Sequence, residues 1–300
     1  MQLFKKTNFD FIGMRYYAYA FSALLLGAGL VSLFLKGGPK LGIDFTGGNL
    51  VQLSFKTNVE MKDLRSVLTA AGYGDAEIQG ITGRPSYIIR VPRGAAAVDS
   101  LAKDFQKAIT DKIPGANPEI ERAEFVGPAV GRELADQALS AILWASVLII
   151  IYVGIRFRST LWGICSIVAV VHDVLSIVGI FSILNKEVTV TVVAGILTLA
   201  GYSMNDTIVI YDRMRENLRL SKKETLGELI NRSVNETLSR TIMTSMTVAI
   251  TLMVLFFFGG EVIHDFAFAM LWGVFVGSYS SIFVAAPIIY EWQGRGTAKK

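Results

Sequence analysis

Six apolar runs, near residues 17–35, 138–153, 161–184, 188–211, 241–258 and 266–290, leave this chain of 300 residues few ways to fold. Most of them reach the roughly 18–20 residues that an α-helix needs to cross about 30 Å of hydrocarbon. Hydrophobic residues make up 52% of the chain and charged residues only 18%. The expected architecture is therefore an α-helical polytopic membrane protein with six transmembrane helices.

The distribution of charge gives an orientation. Lys5, Lys6 and Arg15 precede the first run, and Arg156 and Arg158 follow the second. Arg213, Arg215, Arg219, Lys222, Lys223, Arg232 and Arg240 follow the fourth, and Arg295, Lys299 and Lys300 close the chain. The short loops on the other side, 185–187 and 259–265, hold only Lys186. Basic residues concentrate on the cytoplasmic side of short loops, which places both termini in the cytoplasm and the long segment 36–137 outside. The net charge of +4 reports topology and attraction to anionic lipid, and does not point to nucleic acid. The expected division is 1–35 for an interfacial N-terminus and first helix, with Phe9-Asp10-Phe11 lying at the interface. An extracytoplasmic domain follows over 36–137, helices two to six over 138–290, and a cytoplasmic tail over 291–300. Residues 222–238 are expected to form a cytoplasmic amphipathic helix, with Leu226, Leu229, Ile230, Val234 and Leu238 as its apolar stripe. Thr225 and Glu228 have capping-box spacing at its start.

Within 36–137 the periodicity becomes that of a globular domain. Residues 42–55 read as extended, with Val51, Leu53 and Phe55 alternating against Gln52 and Ser54, and with a turn or bulge at Gly47-Gly48. Helices are expected over 59–71 and 95–113, and strands over 76–81, 86–91 and 119–126. The order β-α-β-β-α-β is that of an α+β ferredoxin-like fold. This segment has no histidine and no cysteine, and no phosphate-cradling loop, which fits binding or transmission better than catalysis. Cys165 is the single cysteine, so no intrachain disulfide is possible.

Chemistry concentrates inside the apolar runs. His172-Asp173 interrupts the third run, and Asp173 lies about 18 Å along it at 1.5 Å per residue. Ser203, Asn205 and Asp206 interrupt the fourth, with Asp206 about 7–8 Å from its end. A charge near the middle of a bilayer costs about 2.5–3.5 kcal/mol on insertion scales, so such residues mark ion paths, proton relays or polar helix contacts. For His172-Asp173 a structural polar contact, worth about 0.6 kcal/mol on average, weighs evenly against a proton path. For Asp206 the functional reading is the stronger. Ser203 and Asn205 are expected to hydrogen-bond it. Arg240, at the edge of the fifth run, is either an ordinary snorkelling residue or the cation that sets whether Asp206 holds its proton. Thr244 lies one turn further on the same face. Gly273, Gly277, Ser278 and Ser280-Ser281 read as a close helix-packing face.

Longer phrases carry a resemblance. They are Phe9-Asp10-Phe11, Leu41-Gly42-Ile43-Asp44-Phe45-Thr46-Gly47-Gly48 and Val126-Gly127-Pro128-Ala129-Val130-Gly131-Arg132-Glu133-Leu134. Next come His172-Asp173, Gly201-Tyr202-Ser203-Met204-Asn205-Asp206-Thr207-Ile208, Asp212-Arg213-Met214-Arg215-Glu216-Asn217 and Leu238-Ser239-Arg240-Thr241. Taken in order, they resemble the SecF branch of the SecD/SecF family of bacterial protein-export membrane proteins, in the resistance–nodulation–division (RND) superfamily. The resemblance implies half of a twelve-helix unit completed by SecD, and association with the SecYEG channel, YidC and YajC. It also implies an unfolded preprotein as the translocating substrate, bacterial cytoplasmic (inner) membrane as the location, and proton-motive force as the energy source. It implies Asp206, Arg240 and Thr244 as the proton path, with His172, Asp173, Asn205 and Ser203 as secondary candidates, a coupling ion that is H+ or Na+, and no cofactor.

Two other classes compete. A small-molecule RND exporter uses similar buried charges, but such exporters carry two large outer loops and about twelve spans in one chain. An intramembrane serine hydrolase would pair Ser203 with His172, but no oxyanion-hole signature accompanies Ser203. The expectation is a non-enzymatic translocation subunit.

Overall fold

The computed structural model describes residues 7–81, 84–91, 98–220 and 224–297, apart from the side chains of 261, 262 and 294–297. Lys5, Lys6, Lys222, Lys223, Lys299 and Lys300 lie outside the described residues, as does the expected helix start at 95–97. The chain divides into two compact units: residues 1–40 with 139–300, and residues 41–138.

In the first unit, α1 spans Arg15–Lys36, α6 Thr160–Ile183 and α7 Val190–Leu220. α8 spans Leu226–Phe258 and α9 Glu261–Ser280; a π-helical turn, Ser281–Ala285, leads into α10, Ala286–Thr297. Helix α5, Pro128–Phe157, starts in the small domain and continues into this unit. Among the described residues six helices are long and apolar enough to cross a membrane, as the sequence implies. α6, α7 and the sixth span form the buried centre; the apolar windows of α1, α5 and α8 are only 17%, 6% and 17% buried. Small residues let the central helices approach. Gly29 of α1 and Gly179 of α6 meet at their backbones: a Cβ on Gly29 would stand 2.8 Å from the Gly179 Cα. Beyond that crossing, Ser32 and Ser182 place their hydroxyl oxygens 2.8 Å apart, and Lys36 Nζ donates to the Ser182 carbonyl. Gly179→Val is therefore expected to separate α1 from α6 at a cost of at least the 1–3 kcal/mol typical of overpacking. Thermal unfolding in detergent would show it as a lowered midpoint; Gly27→Val, whose Cβ meets nothing within 4 Å, should leave the midpoint unchanged.

Two expectations change here. The amphipathic segment is not a separate surface helix: it is the first part of α8, which runs unbroken from the Thr225 cap to Phe258. No Gly, Pro or turn residue intervenes between its apolar stripe and the fifth span. The capping box itself is present, with the Thr225 side chain accepting from Glu228 N and Glu228 returning to Thr225 N. Likewise α7 does not stop near Tyr211 but continues to Leu220, because the phrase from Asp212 to Asn217 is fastened at several points. Asp212 pairs with Arg156 at 2.9 Å, and Arg213 with Glu236 of α8 at 2.6 Å. Asn217 Nδ2 donates to Ser233 Oγ at 3.0 Å, and Met214 is fully buried.

The N-terminal segment is likewise a fitted part of this unit. Phe11 and Ile12 are buried in the core, and Phe11 stands edge-on to Phe283 of the π turn. The Asn235 amide of α8 accepts from Phe9 N and donates to Phe9 O, both at 2.9 Å, as a neighbouring strand would. Asn231 accepts from Ile12 N at 2.9 Å and donates to Asp10 Oδ1 at 2.7 Å. The Gly13 N–H, then Asn231, hold the Asp10 carboxyl below its ordinary value of 3.8. A depressed carboxylate stabilises the clasp fully above the unfolded value and loses that contribution as pH falls from there through its lower folded value, so the clasp should loosen only in acid. At neutral pH, Asn235→Ala removes two hydrogen bonds to the exposed Phe9 backbone and should cost about 1 kcal/mol, read as a lowered melting midpoint.

The second unit holds α2 (Ile43–Thr46), β1 (Gly48–Ser54), α3 (Met61–Ala70), β2 (Glu77–Gly80), β3 (Ser86–Val91), α4 (Val98–Lys112) and β4 (Glu119–Val126). The sheet order is β2-β3-β1-β4, all antiparallel, which is the ferredoxin-like arrangement implied by the element order. Val51, Leu53 and Ile89 are fully buried against Leu64, Phe105 and Ile109 of the two helices. The expected extended start at 42–47 is instead the single helical turn α2. Gly47, at φ 71 and ψ 167, adopts a conformation essentially reserved for glycine and turns the chain into β1. The Gly-Gly phrase also docks on the start of α5. A Cβ on Gly131 would lie 2.9 Å from the Phe45 carbonyl oxygen, and one on Gly47 would lie 3.0 Å from the Pro128 Cα. Two phrases more than 80 residues apart in sequence thus form one close backbone contact.

Candidate functional site: buried carboxylates among the central helices

Two carboxylates are buried where α6, α7, α8 and the sixth span meet. Asp173 is 1% exposed and Asp206 2% exposed. One helical turn separates Ser203 from Asp206 and Thr207 on α7, so one face of that helix addresses both sites.

Asp173 is fully partnered. Its Oδ2 accepts from Ser203 Oγ of α7 at 2.6 Å and from Ser280 Oγ of α9 at 2.9 Å. Its Oδ1 lies 3.1 Å from His172 Nδ1. His172 Nε2 lies 3.1 Å from Ser22 Oγ of α1, Ser22 Oγ lies 3.0 Å from Tyr279 Oη, and Tyr279 Oη donates to the Ala18 carbonyl at 2.7 Å. Four spans therefore converge on one histidine–carboxylate pair.

Asp206 is held more loosely. Ser245 Oγ of α8 and Ser278 Oγ of α9 each lie 3.4 Å from its Oδ2, near the limit of a hydrogen bond, and 2.6 Å from each other, so one hydroxyl proton is used between the two serines and one is left for the carboxylate. Tyr202 Oη donates to Ser245 at 3.3 Å. Below this layer Thr207 and Ser281 approach to 2.8 Å. The π turn that starts at Ser281 lets the successive residues Ser280 and Ser281 serve α6 and α7 respectively; such turns are frequent at functional sites.

The expected partners of Asp206 are only partly those found. Ser203 bonds Asp173, and Asn205 is exposed on the far side of α7: a helix turns about 100° per residue, so the neighbour of a buried position faces out. Arg240 is exposed and forms no ion pair with Asp206, although its charge acts there. Thr244 donates back to the Arg240 and Thr241 carbonyls, both at 3.0 Å. The hydrolase pairing of Ser203 with His172 is not formed, because the hydroxyl facing His172 belongs to Ser22. Ser22, Ser245 and Tyr279 escaped sequence reasoning, since single hydroxyls in apolar helices carry no pattern. Ser278, Ser280 and Ser281 were legible as a packing face but not as carboxylate ligands.

The match to known proteins spans both units. The model described as "Protein export membrane protein SecD/SecF, C-terminal" matches residues 105–295, and the "SecD/SecF GG Motif" matches residues 31–59. The chain belongs to the SecD/SecF family. Among the similar SecD/SecF proteins, the protein translocase subunit SecF of Endomicrobium trichonymphae is 42% identical, over 98% of this chain and 94% of its own length. The same-named subunit of Magnetococcus marinus is 44% identical, over 96% of this chain and 94% of its own length. The crystal structure of SecDF from Thermus, a translocon-associated membrane protein, is 37% identical with a TM-score of 0.86 over 96% of this chain. SecDF in its super-membrane-facing form gives 0.73 over the whole chain. This chain spans 39% of the first SecDF chain and 40% of the second, so it corresponds to part of that longer polypeptide. As a SecD/SecF member with six apolar helices, it is a multi-pass inner-membrane protein and a translocase subunit.

Proposed function

We propose that this chain, with SecD as the other half of a twelve-helix unit, draws on the proton-motive force to assist late, SecA-independent steps of preprotein translocation. The observation that carries the reading is the setting of Asp206: a carboxylate 2% exposed in an apolar helix, whose side-chain contacts among the described residues are two long ones to hydroxyls of two other helices. A group held this lightly changes protonation without breaking a strong bond, and losing its charge removes the largest cost of its position. Arg240 sets the affinity for the proton, and helix re-packing around Asp206 carries the change onward to the small domain.

Both termini are cytoplasmic and the small domain is extracytoplasmic, as the basic loops indicate. The nearly unburied apolar window of α5 and the outward-facing Asn205 of α7 supply surface for SecD and lipid. SecYEG, YidC and YajC are the further partners, an unfolded preprotein is the substrate, and H+ is the coupling ion on this reading, with Na+ the alternative. The chain works as a translocation subunit rather than an enzyme; the small-molecule exporter reading has no observation in its favour. Purification from native membranes in mild detergent, followed by identification of the bound chains, tests the assignment. SecD among them is the expected result, whereas a periplasmic adaptor with an outer-membrane channel would favour export of small molecules.

A further inference from the structure

The hydroxyl chain between α1 and His172 fixes where the protons lie. The Ala18 carbonyl can only accept, so it takes the single proton of Tyr279 Oη. Tyr279 then accepts from Ser22, which uses the only proton of that serine. Ser22 Oγ in turn accepts from His172, so Nε2 carries a hydrogen. On the other edge of the ring, Nδ1 faces Asp173 Oδ1 at 3.1 Å. Two acceptors do not make such a contact, so one more proton lies between them, on the imidazole or on the carboxyl.

We propose that His172–Asp173 is a second proton site, loaded in this conformation, and that Ser22 and Tyr279 report its occupancy to α1. When the proton leaves, the one remaining imidazole hydrogen belongs at Nδ1, where the Asp173 carboxylate holds it in a charge-assisted bond. Nε2 becomes an acceptor. Ser22 turns its proton to Nε2, Tyr279 turns its proton to Ser22, and the Ala18 carbonyl loses its side-chain partner. One proton is released to water, and every other step is a reversal of hydrogen-bond direction. The contact between α1 and the sixth span at Ala18 thus exists only while the site is loaded. α1 is the helix from which the chain enters the small domain at residue 41.

The packed elements bring no competing charge to the pair. α1 brings Ser22, α9 brings Tyr279 and Ser280, and α7 brings Ser203 with Asp206 three residues on. α8 brings Arg240, which is exposed, and Glu291 of α10 is paired with Arg15. Among the described residues no lysine or arginine pairs with Asp173, whose basic neighbour is the His172 imidazole.

The proposal rests on the proton-driven reading above but has its own test. The chain holds two histidines, so 15N-histidine labelling of this chain in the His264→Gln background, with an unlabelled partner in lipid, leaves the His172 signals alone in solid-state NMR. On raising pH, Nε2 should move from the protonated to the unprotonated range, and Nδ1 should be protonated at the high-pH end whether the loaded proton sits on the imidazole or on the carboxyl. A ring that keeps one neutral tautomer throughout the range in which the protein stays folded would overturn the proton site. The reporting step is read from the distance between spin labels at Leu24 and Val171, both exposed, in a Cys165→Ala background. The distance distribution should change over the same pH interval, keep that change in Asp206→Asn, and lose it in Tyr279→Phe. A pH-linked change that survives Tyr279→Phe, or that is absent from the native chain, would overturn the reporting role. A change that vanishes in Asp206→Asn would overturn the independence of the second site. Failure of the export reading, by contrast, is scored in the Asp206→Asn export assay and leaves the imidazole signals untouched.

Discussion

Asp206→Asn should assemble normally with its partner and abolish the gradient-dependent part of preprotein translocation into inverted membrane vesicles. The amide keeps the shape of the carboxyl and can accept from the Ser245–Ser278 pair as Asp206 does, but it does not titrate. Each proton crossing 100 mV supplies about 2.3 kcal/mol, enough to bias a two-state movement roughly fifty-fold, since about 1.4 kcal/mol is tenfold. Without a titrating group that bias is lost entirely. Arg240→Met removes the charge that acts on Asp206 and should change translocation in the same direction. Asp212→Asn breaks only a partly exposed pair with Arg156, of a kind worth about 0–1 kcal/mol, and should be mild.

Gly277→Val should be nearly as damaging, although it changes no titratable group. A Cβ at this position stands 3.0 Å from Ser203 Cβ, 3.1 Å from Ser203 Oγ and 3.6 Å from Asp173 Oδ2. The added methyls of valine force α9 away from α7 where Ser280 reaches Asp173 and Ser278 reaches Asp206. Overpacking of this kind costs about 1–3 kcal/mol, and the parted hydrogen bonds leave buried carboxylate oxygens short of donors, a further cost of about 1–3 kcal/mol or more. Translocation should fall close to its level without a gradient, and the melting midpoint of the purified complex should drop. Two neighbours serve as controls. At Gly273 the added Cβ would stand 2.2 Å from Leu199 Cδ2 and 2.9 Å from Cγ of that fully buried leucine, and at Gly201 it meets nothing within 4 Å, so Gly273→Ala should lower the melting midpoint without reaching the carboxylates and Gly201→Ala should be close to neutral.

The parts that sequence reading reached are those that recur at a fixed period. The six apolar runs, the strand at 86–91 and that at 119–126, and the βαββαβ order all repeat along the chain, and the structure has them. Helix ends were harder. Between Leu238 and Thr241 the one signal that α8 continues is the lack of any Gly, Pro or turn residue, and the anchors that extend α7 past Tyr211, such as Asn217 on Ser233, connect separate helices. Reading 42–47 as a strand failed because alternation of side chains does not register the backbone demand made by Gly47. The burial of Asp173 and Asp206 followed from their place in apolar runs, but their partners did not, because the serines that serve them come from three different helices. Asn205 was misassigned for the opposite reason: adjacency in sequence was taken as adjacency in space, and on a helix it is not.

The most direct measurement is proton uptake itself. The chain reconstituted with SecD in liposomes, with a pH-sensitive dye inside and an imposed membrane potential, reports proton movement in the presence of an engaged preprotein. Native protein should acidify the lumen at a rate that rises with the potential. Asp206→Asn should reduce that rate to that of protein-free liposomes, and Ser245→Ala with Ser278→Ala should lower it without eliminating it. Potential-driven acidification by Asp206→Asn at the native rate would contradict the account, because the protons would then cross without the carboxylate on which it depends.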